Sequence, residues 1–458
     1  MMLRTLAGKH SALALVGASV LLFGYLAAQG EAQQVDTSTA AAPVVITLDE
    51  AIRRAEANEP AFAASVAESQ SARIDRSIAR ASLLPTAEYH NQALYTQPNG
   101  LQNQAGQGVG AQPSPRFIAN NAVREYASQG VFNETIGLQQ VAAVKHADAA
   151  AAFADAEAEI ARRGLVSTVV GLYYSSISAE NKLAVARRAA GEADSFVDLT
   201  GKREAAREAA HADVVKAQLE QQQRQRDLAD ADLAAQKARL ELGILLFPDP
   251  RTAYTLQQPA AQAPLPGKAD IEAAAAKNNP ELHSALASLK ESDADVAAAR
   301  AAYLPDVGLN VTYGIDAPQF AVNGPDTVKN LGYSASVTVD IPVWDWLSTQ
   351  HKIKQSEIRR NAVKVALSAT QKRLVADLEE FYAEAVAARD QLTSLDASAK
   401  TAAESLRLTK LRYTGGEGTV LEVIDAQNAL TAAENARDDG ALRYQTALAN
   451  LQTLTGSF

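Results

Sequence analysis

Between residues 307 and 315, Val307, Leu309, Val311, Tyr313 and Ile315 alternate with Gly308, Asn310, Thr312 and Gly314. A second run alternates Leu331, Tyr333, Ala335, Val337, Val339, Ile341 and Val343 with Gly332, Ser334, Ser336, Thr338, Asp340 and Pro342. Period-two patterning over nine or more residues predicts a strand with one apolar and one polar face. Two such runs in succession have the length and period of a transmembrane β-hairpin, over about 306–343. A noisier version lies at about 86–135. There Ala87, Tyr89, Ala93 and Tyr95 alternate with polar residues, and the return run from Glu125 to Thr135 is weakly patterned.

The rest reads as helix. Thr47 and Glu50 have the spacing of a capping pair, and Pro60 restarts a helix that runs to Leu84, where Pro85 stops it. The second copy runs from Asp270 to Leu304, before Pro305. Residues 138–200 contain no Pro, and 347–413 contain neither Pro nor Gly. Unbroken, they make helices of roughly 95–100 Å. Turns are expected at about 201–212 and 414–419, each leading into a further helix. Residues 244–268 read as a linker with local structure of its own.

These elements occur twice. Pro60 and Pro85 match Pro280 and Pro305 at an offset of 220, whereas Val214–Gln218 matches Val423–Gln427 at 209. The chain is a tandem duplication, 33–243 and 269–458, and the second copy is eleven residues shorter between Pro305 and Phe381. The shortening is expected in the hairpin loop.

Composition narrows the class. Residues 1–32 read as a secretory signal: Arg4 and Lys9, an apolar run from Ala12 to Ala28, then small residues for cleavage after Ala32. No Cys follows, so neither lipidation at a terminal Cys nor disulfides are expected. The remaining chain is acidic, which argues against nucleic acid as a partner. Aromatics are 5% and much of the apolar content is Ala, which suits thin, Ala-seamed helical packing better than a large core. His90, His146, His211, His283 and His351 lack metal-ligand spacing, and no nucleophile–base set or phosphate loop occurs. No enzyme activity, cofactor or metal is expected.

The order helix, Leu-Pro stop, hairpin, very long helix, turn, helix, performed twice over about residues 46–457, resembles the TolC-type outer-membrane efflux proteins. The motifs are Asn-x-Pro and Leu-Pro in both copies, Asp340-Ile341-Pro342-Val343-Trp344-Asp345, and above all Tyr413 to Ala426 with its glycines and Leu421-Glu422-Val423-Ile424-Asp425-Ala426. Two departures stand out. Trp346-Leu347 occupies the place of a frequent Gly-Gly, and the first-copy turn, Glu204 to Val214, lacks glycine.

The resemblance implies a mostly α protein with a small transmembrane β part. It would be a homotrimer whose protomers share a twelve-stranded barrel on a long periplasmic α-helical barrel. It implies the outer membrane of a Gram-negative bacterium, and as partners a periplasmic adaptor (membrane-fusion) protein, an inner-membrane transporter and outer-membrane lipid. The function implied is a passive exit duct of an efflux pump or type I secretion system. The resemblance further places Glu422 and Asp425 at a periplasmic gate, against the plain reading of a solvated helix face, and Tyr413 with Asp213 as a closed-state latch. The adaptor-docking turn would be Gly415, Gly416, Glu417, Gly418 and Thr419. Tyr89, Tyr95, Tyr313, Tyr333, Trp344 and Trp346 fall in or beside the strands, where they suit membrane-interface girdles; strands are aromatic-rich in any case. The alternative is a structural or adhesive trimeric coiled coil. The Ala-rich helices lack the Leu/Ile/Val heptads that it needs.

Overall fold

The computed structural model describes residues 44–95, 102–105, 112–115, 124–258, 263–324 and 329–456. The leader expected over 1–32 and the glycine-rich part of the first hairpin loop lie outside them. The chain opens with β1 (Val44–Ile46), α1 (Leu48–Asn58) and α2 (Pro60–Ala81). Thr47 Oγ1 accepts the Glu50 amide at 3.2 Å, but the Glu50 carboxylate turns to Arg53 and Arg54, so the cap is one-sided. Helix α2 stops at Ala81, and Leu84 stands in the turn before Pro85 rather than in the helix.

The first hairpin follows as β2 (Thr86–Tyr95) and β5 (Arg124–Ile136), with the short pair β3 (Gln102–Ala105) and β4 (Gln112–Pro115) between them. Then come α3 (Leu138–Ala205), α4 (His211–Leu246) and β6 (Tyr254–Leu256), the last pairing with β1. The second copy comprises α5 (Lys268–Asn278), α6 (Pro280–Ala301), β7 (Asp306–Ala317), β8 (Leu331–Asp340), α7 (Ser348–Thr414) and α8 (Val420–Thr455). The 68 residues of α3 and 67 of α7 correspond to about 100 Å of helix each.

Four strands form one antiparallel sheet in the order β2-β5-β7-β8. Its register obeys the alternation. Val307, Leu309, Val311 and Tyr313 stand opposite Val339, Val337, Ala335 and Tyr333, while Thr312 faces Ser334 across the other side, their hydroxyls 2.6 Å apart. In the first hairpin, Phe132 pairs with Ala87 and Val311, and Tyr89 stands opposite Gly130, which stands opposite Tyr313. Strand β8 ends at Asp340, short of the Val343 end expected from the pattern; Pro342 has no N–H to continue a ladder. Strands β2 and β8 are open edges.

Helix α3 packs against α2, α4, α6 and α8, and α7 packs against α6 and α8. Alanines such as Ala149, Ala154, Ala190 and Ala385 lie buried in these seams and let the helices approach. A denser core gathers where β1 and β6 cross α3: Ile46, Val169, Tyr173, Leu242, Leu246 and Tyr254. The Tyr173 hydroxyl donates toward the carbonyls of Ile46 and Gln257, and burial pushes its phenol up to about 12. By contrast, Val215, Leu219, Leu233, Leu240 and Ile244 of α4, and Ile358, Val365 and Val375 of α7, are exposed apolar side chains on the flanks of the four-helix wall.

Between β8 and α7 the backbone turns through Trp346 and Leu347, with φ of 56° and 64°. Both stand in the left-handed region that disfavours a Cβ. Glycine holds this conformation without strain; this chain adopts it with two bulky residues. The Trp344 and Trp346 rings meet edge-on at 5.8 Å.

Candidate functional site: the two helical hairpin turns

At the foot of α7 the chain reverses through Gly415 and Gly416, the latter at φ 83°. The Gly416 amide donates to the Tyr413 carbonyl at 3.1 Å, and the Glu417 amide reaches back to that of Arg412 at 2.9 Å. These two bonds define a Schellman ending. Thr419 then caps α8 reciprocally: its Oγ1 accepts the Glu422 amide at 3.2 Å, and the Glu422 carboxylate accepts the Thr419 amide at 3.3 Å.

The first-copy turn has the same geometry without the residues that favour it. Arg207 holds φ 62°. Its amide donates to the Glu204 carbonyl at 2.8 Å, and that of Glu208 to Arg203 at 2.8 Å. Each bond is the counterpart, at the 209 offset, of one in the second turn. Ala210 precedes α4 with no side-chain cap. The absence of glycine therefore changes this turn's chemistry and leaves its path intact. The observed turns, 206–210 and 415–419, are tighter than the expected spans, because α3 continues to Ala205.

The two turns sit on a shared apolar cluster: Phe196, Ala217, Leu406, Tyr413, Val420, Val423, Ile424 and Ala426. Tyr413 is 4% exposed, its ring edge-on to Phe196 at 5.2 Å. Here an expectation needs correcting. The phenol–carboxylate bond between Tyr413 and Asp213 is not made: the buried Tyr413 hydroxyl has no hydrogen bond among the described residues. Asp213 stands in the first turn of α4, where the helix N-terminus favours an acid, 3.9 Å from Lys216. Tyr413 is instead engaged by Arg203. That guanidinium lies over the ring, 4.7 Å from its centroid, and donates from Nη1 to the Tyr413 backbone carbonyl. Burial raises the Tyr413 phenol above its ordinary value, with the Arg203 charge acting the other way. No motif marks Arg203; the repeat offset pairs it with Arg412, which is the only sequence signal for it.

Glu422 in the first turn of α8 and Asp425 in the second are both exposed. Glu422 has a structural task in the cap, and Arg412 lies 3.9 Å away. Asp425 has no hydrogen-bond or ion-pair partner among the described residues. Among the aromatics, Tyr89, Tyr313 and Tyr333 form a row across the sheet, with Gly130 filling its one gap. Tyr95 lies at the far end of β2, opposite Arg124, and Trp344 and Trp346 lie past the opposite end of β8.

Residues 273–457 match the family model described as outer membrane efflux protein. Outer membrane protein OprJ of Pseudomonas aeruginosa is 26% identical over 175 residues, which are 38% of this chain and 36% of OprJ, so the match spans about a third of that relative. The likeness in fold reaches further. A crystal structure of a membrane protein from Pseudomonas aeruginosa superposes with a TM-score of 0.73 at 21% identity, over 89% of this chain and 93% of that one. The outer membrane protein VceC of Vibrio cholerae gives 0.73 at 17% identity, over 89% and 96%.

Proposed function

We propose that this chain, which by its family match and its fold belongs with the outer membrane efflux proteins, is the passive exit duct of a multipart efflux or type I secretion system. It does no chemistry of its own. The observation that carries the reading is the four-stranded sheet, with an apolar, exposed face on β7 and β8 and both edges unpaired. Unpaired strand edges are not viable in lipid. Three copies joined β2 to β8 would close twelve strands and leave none. The same ring would cover the exposed apolar residues of α4 and α7, so a homotrimer serves sheet and helices together.

Dimensions support an outer-membrane barrel. Over its full length, Asp306–Ala317, β7 covers about 35 Å. At the usual tilt this leaves about 25 Å of height, the apolar band of such barrels. Leu309 and Val311 of β7 and Val337 and Val339 of β8 lie within this span and are exposed. The tyrosine row and the tryptophan pair would then mark the two interfaces. An adaptor would dock at the hairpin turns and draw on an inner-membrane transporter for energy. Glu422 and Asp425, three copies of each, would ring the aperture and gather cations there.

Cysteine labelling tests the barrel. In membranes, a water-soluble thiol reagent should modify Thr312→Cys and Thr338→Cys but not Val311→Cys or Val339→Cys. Equal labelling of both pairs overturns the barrel. Val339→Arg should block assembly, at a cost of about 2–4 kcal/mol per site near the midplane.

A further inference from the structure

The two hairpins descend separately and are tied at their tips by few polar contacts. Arg188 to Glu434, and Lys410 to Glu192, each at 2.9 Å, join them above the turns through side chains that solvent reaches. Exposed pairs of this kind contribute little. Arg224 of α4 reaches Asn428 of α8, also above the turns. Arg203 differs in position and in surroundings. It stands in the last turn of α3, and the carbonyl it meets is in the last turn of α7. Its side chain is only 17% exposed, and Glu208, on its own hairpin, is 3.7 Å away.

We propose that Arg203, and not the Tyr413–Asp213 pair, is the pin that holds the two hairpin tips together when the aperture is shut. This rests on the duct reading above. Three physical terms act at one place. A cation meets the carbonyl end of a helix, where the dipole favours it. The hydrogen bond is charge-assisted, so it is among the stronger kinds. The flat guanidinium covers the Tyr413 ring as a cation–π contact, and Phe196 backs that ring. One feature keeps the pin releasable: the buried Arg203 Nε makes no hydrogen bond among the described residues, the Glu208 carboxylate standing 3.7 Å away. That unpaired donor offsets part of the gain, so the shut state is favoured without being locked. Water, or a carboxylate from a docking protein, would complete the fork of a freed guanidinium.

The test uses the full chain reconstituted in planar bilayers, with helical content and oligomeric size checked for each variant. Arg203→Ala should shift the open-to-shut ratio by on the order of tenfold and raise resting conductance accordingly. Arg203→Lys keeps the charge but loses the planar stack, so it should fall between the two. Tyr413→Phe keeps the ring under the guanidinium and the carbonyl that it binds, so it should raise conductance far less than Arg203→Ala. Arg203→Ala with wild-type conductance overturns the proposal. So does a Tyr413→Phe channel as open as Arg203→Ala, which would return the latch to the phenol. If neither wild type nor any variant conducts, it is the duct reading that fails.

Discussion

At the end of α7 the chain reverses through Gly416 and enters α8 under a reciprocal cap; at the end of α3 it makes the same reversal through Arg207 and enters α4 uncapped. The hydrogen-bond skeletons match bond for bond, yet only one turn has side chains suited to it. A non-glycine residue in the left-handed region costs about 1–2 kcal/mol, and a missing N-cap about 1 kcal/mol. The first turn must therefore be held by what surrounds it. Within its hairpin, His211 Nδ1 lies 2.8 Å from Glu204; across the tip, Arg203 binds the foot of α7. The second turn is stable by its own sequence and offers the surface on which the first is held. Duplication has preserved the path of the backbone and divided the support for it unequally.

Substitutions can break or sharpen this contrast. The largest effect is expected from Gly416→Val, which imposes on the second turn the burden that Arg207 places on the first. It should cost about 1–2 kcal/mol, read as faster amide exchange around 412–420. Thr419→Ala removes the cap and should cost about 1 kcal/mol at the same amides. In the first turn the signs reverse. Arg207→Gly relieves the backbone, Ala210→Ser supplies the missing cap, and each should slow exchange near 204–212 by up to about tenfold. If Arg207→Gly destabilises instead, that arginine makes a contact that matters more than its backbone. The smallest change in stability belongs to Glu422→Gln. Glutamine can still close the capping box, while paired with Asp425→Asn it abolishes the charge. The double variant should fold as wild type yet lose cation selectivity in bilayers. Retained selectivity would assign both carboxylates to a solvated helix face.

Where the sequence could be read, a simple period carried the information. The second hairpin was legible because its outward positions are nearly all Val, Leu, Ile or Tyr. The first was noisy because its matching face includes Asn91, Ser128 and Gly130; its place is fixed by register against β7, which no local pattern reveals. The long helices were legible from missing breakers. The left-handed positions were not, since Arg207, Trp346 and Leu347 are the wrong residues for the conformation that they hold. The expected Tyr413–Asp213 hydrogen bond is not made, for a related reason. Tyr413 and Asp213 are fitting partners by chemistry, but the ring is turned into the cluster with Phe196 and its carbonyl is what faces α3.

The open edges β2 and β8 are unlike strands, so each joint in the proposed ring binds one copy's head to the next copy's tail. The consequence is genetic. A variant that still joins the ring but cannot conduct would poison every ring that it enters. With equal expression of both forms, only about one ring in eight would be wholly wild type. A variant damaged at both edges would stay out of the ring and be recessive. Co-expression alone would thus sort substitutions at the seams from substitutions in the bore.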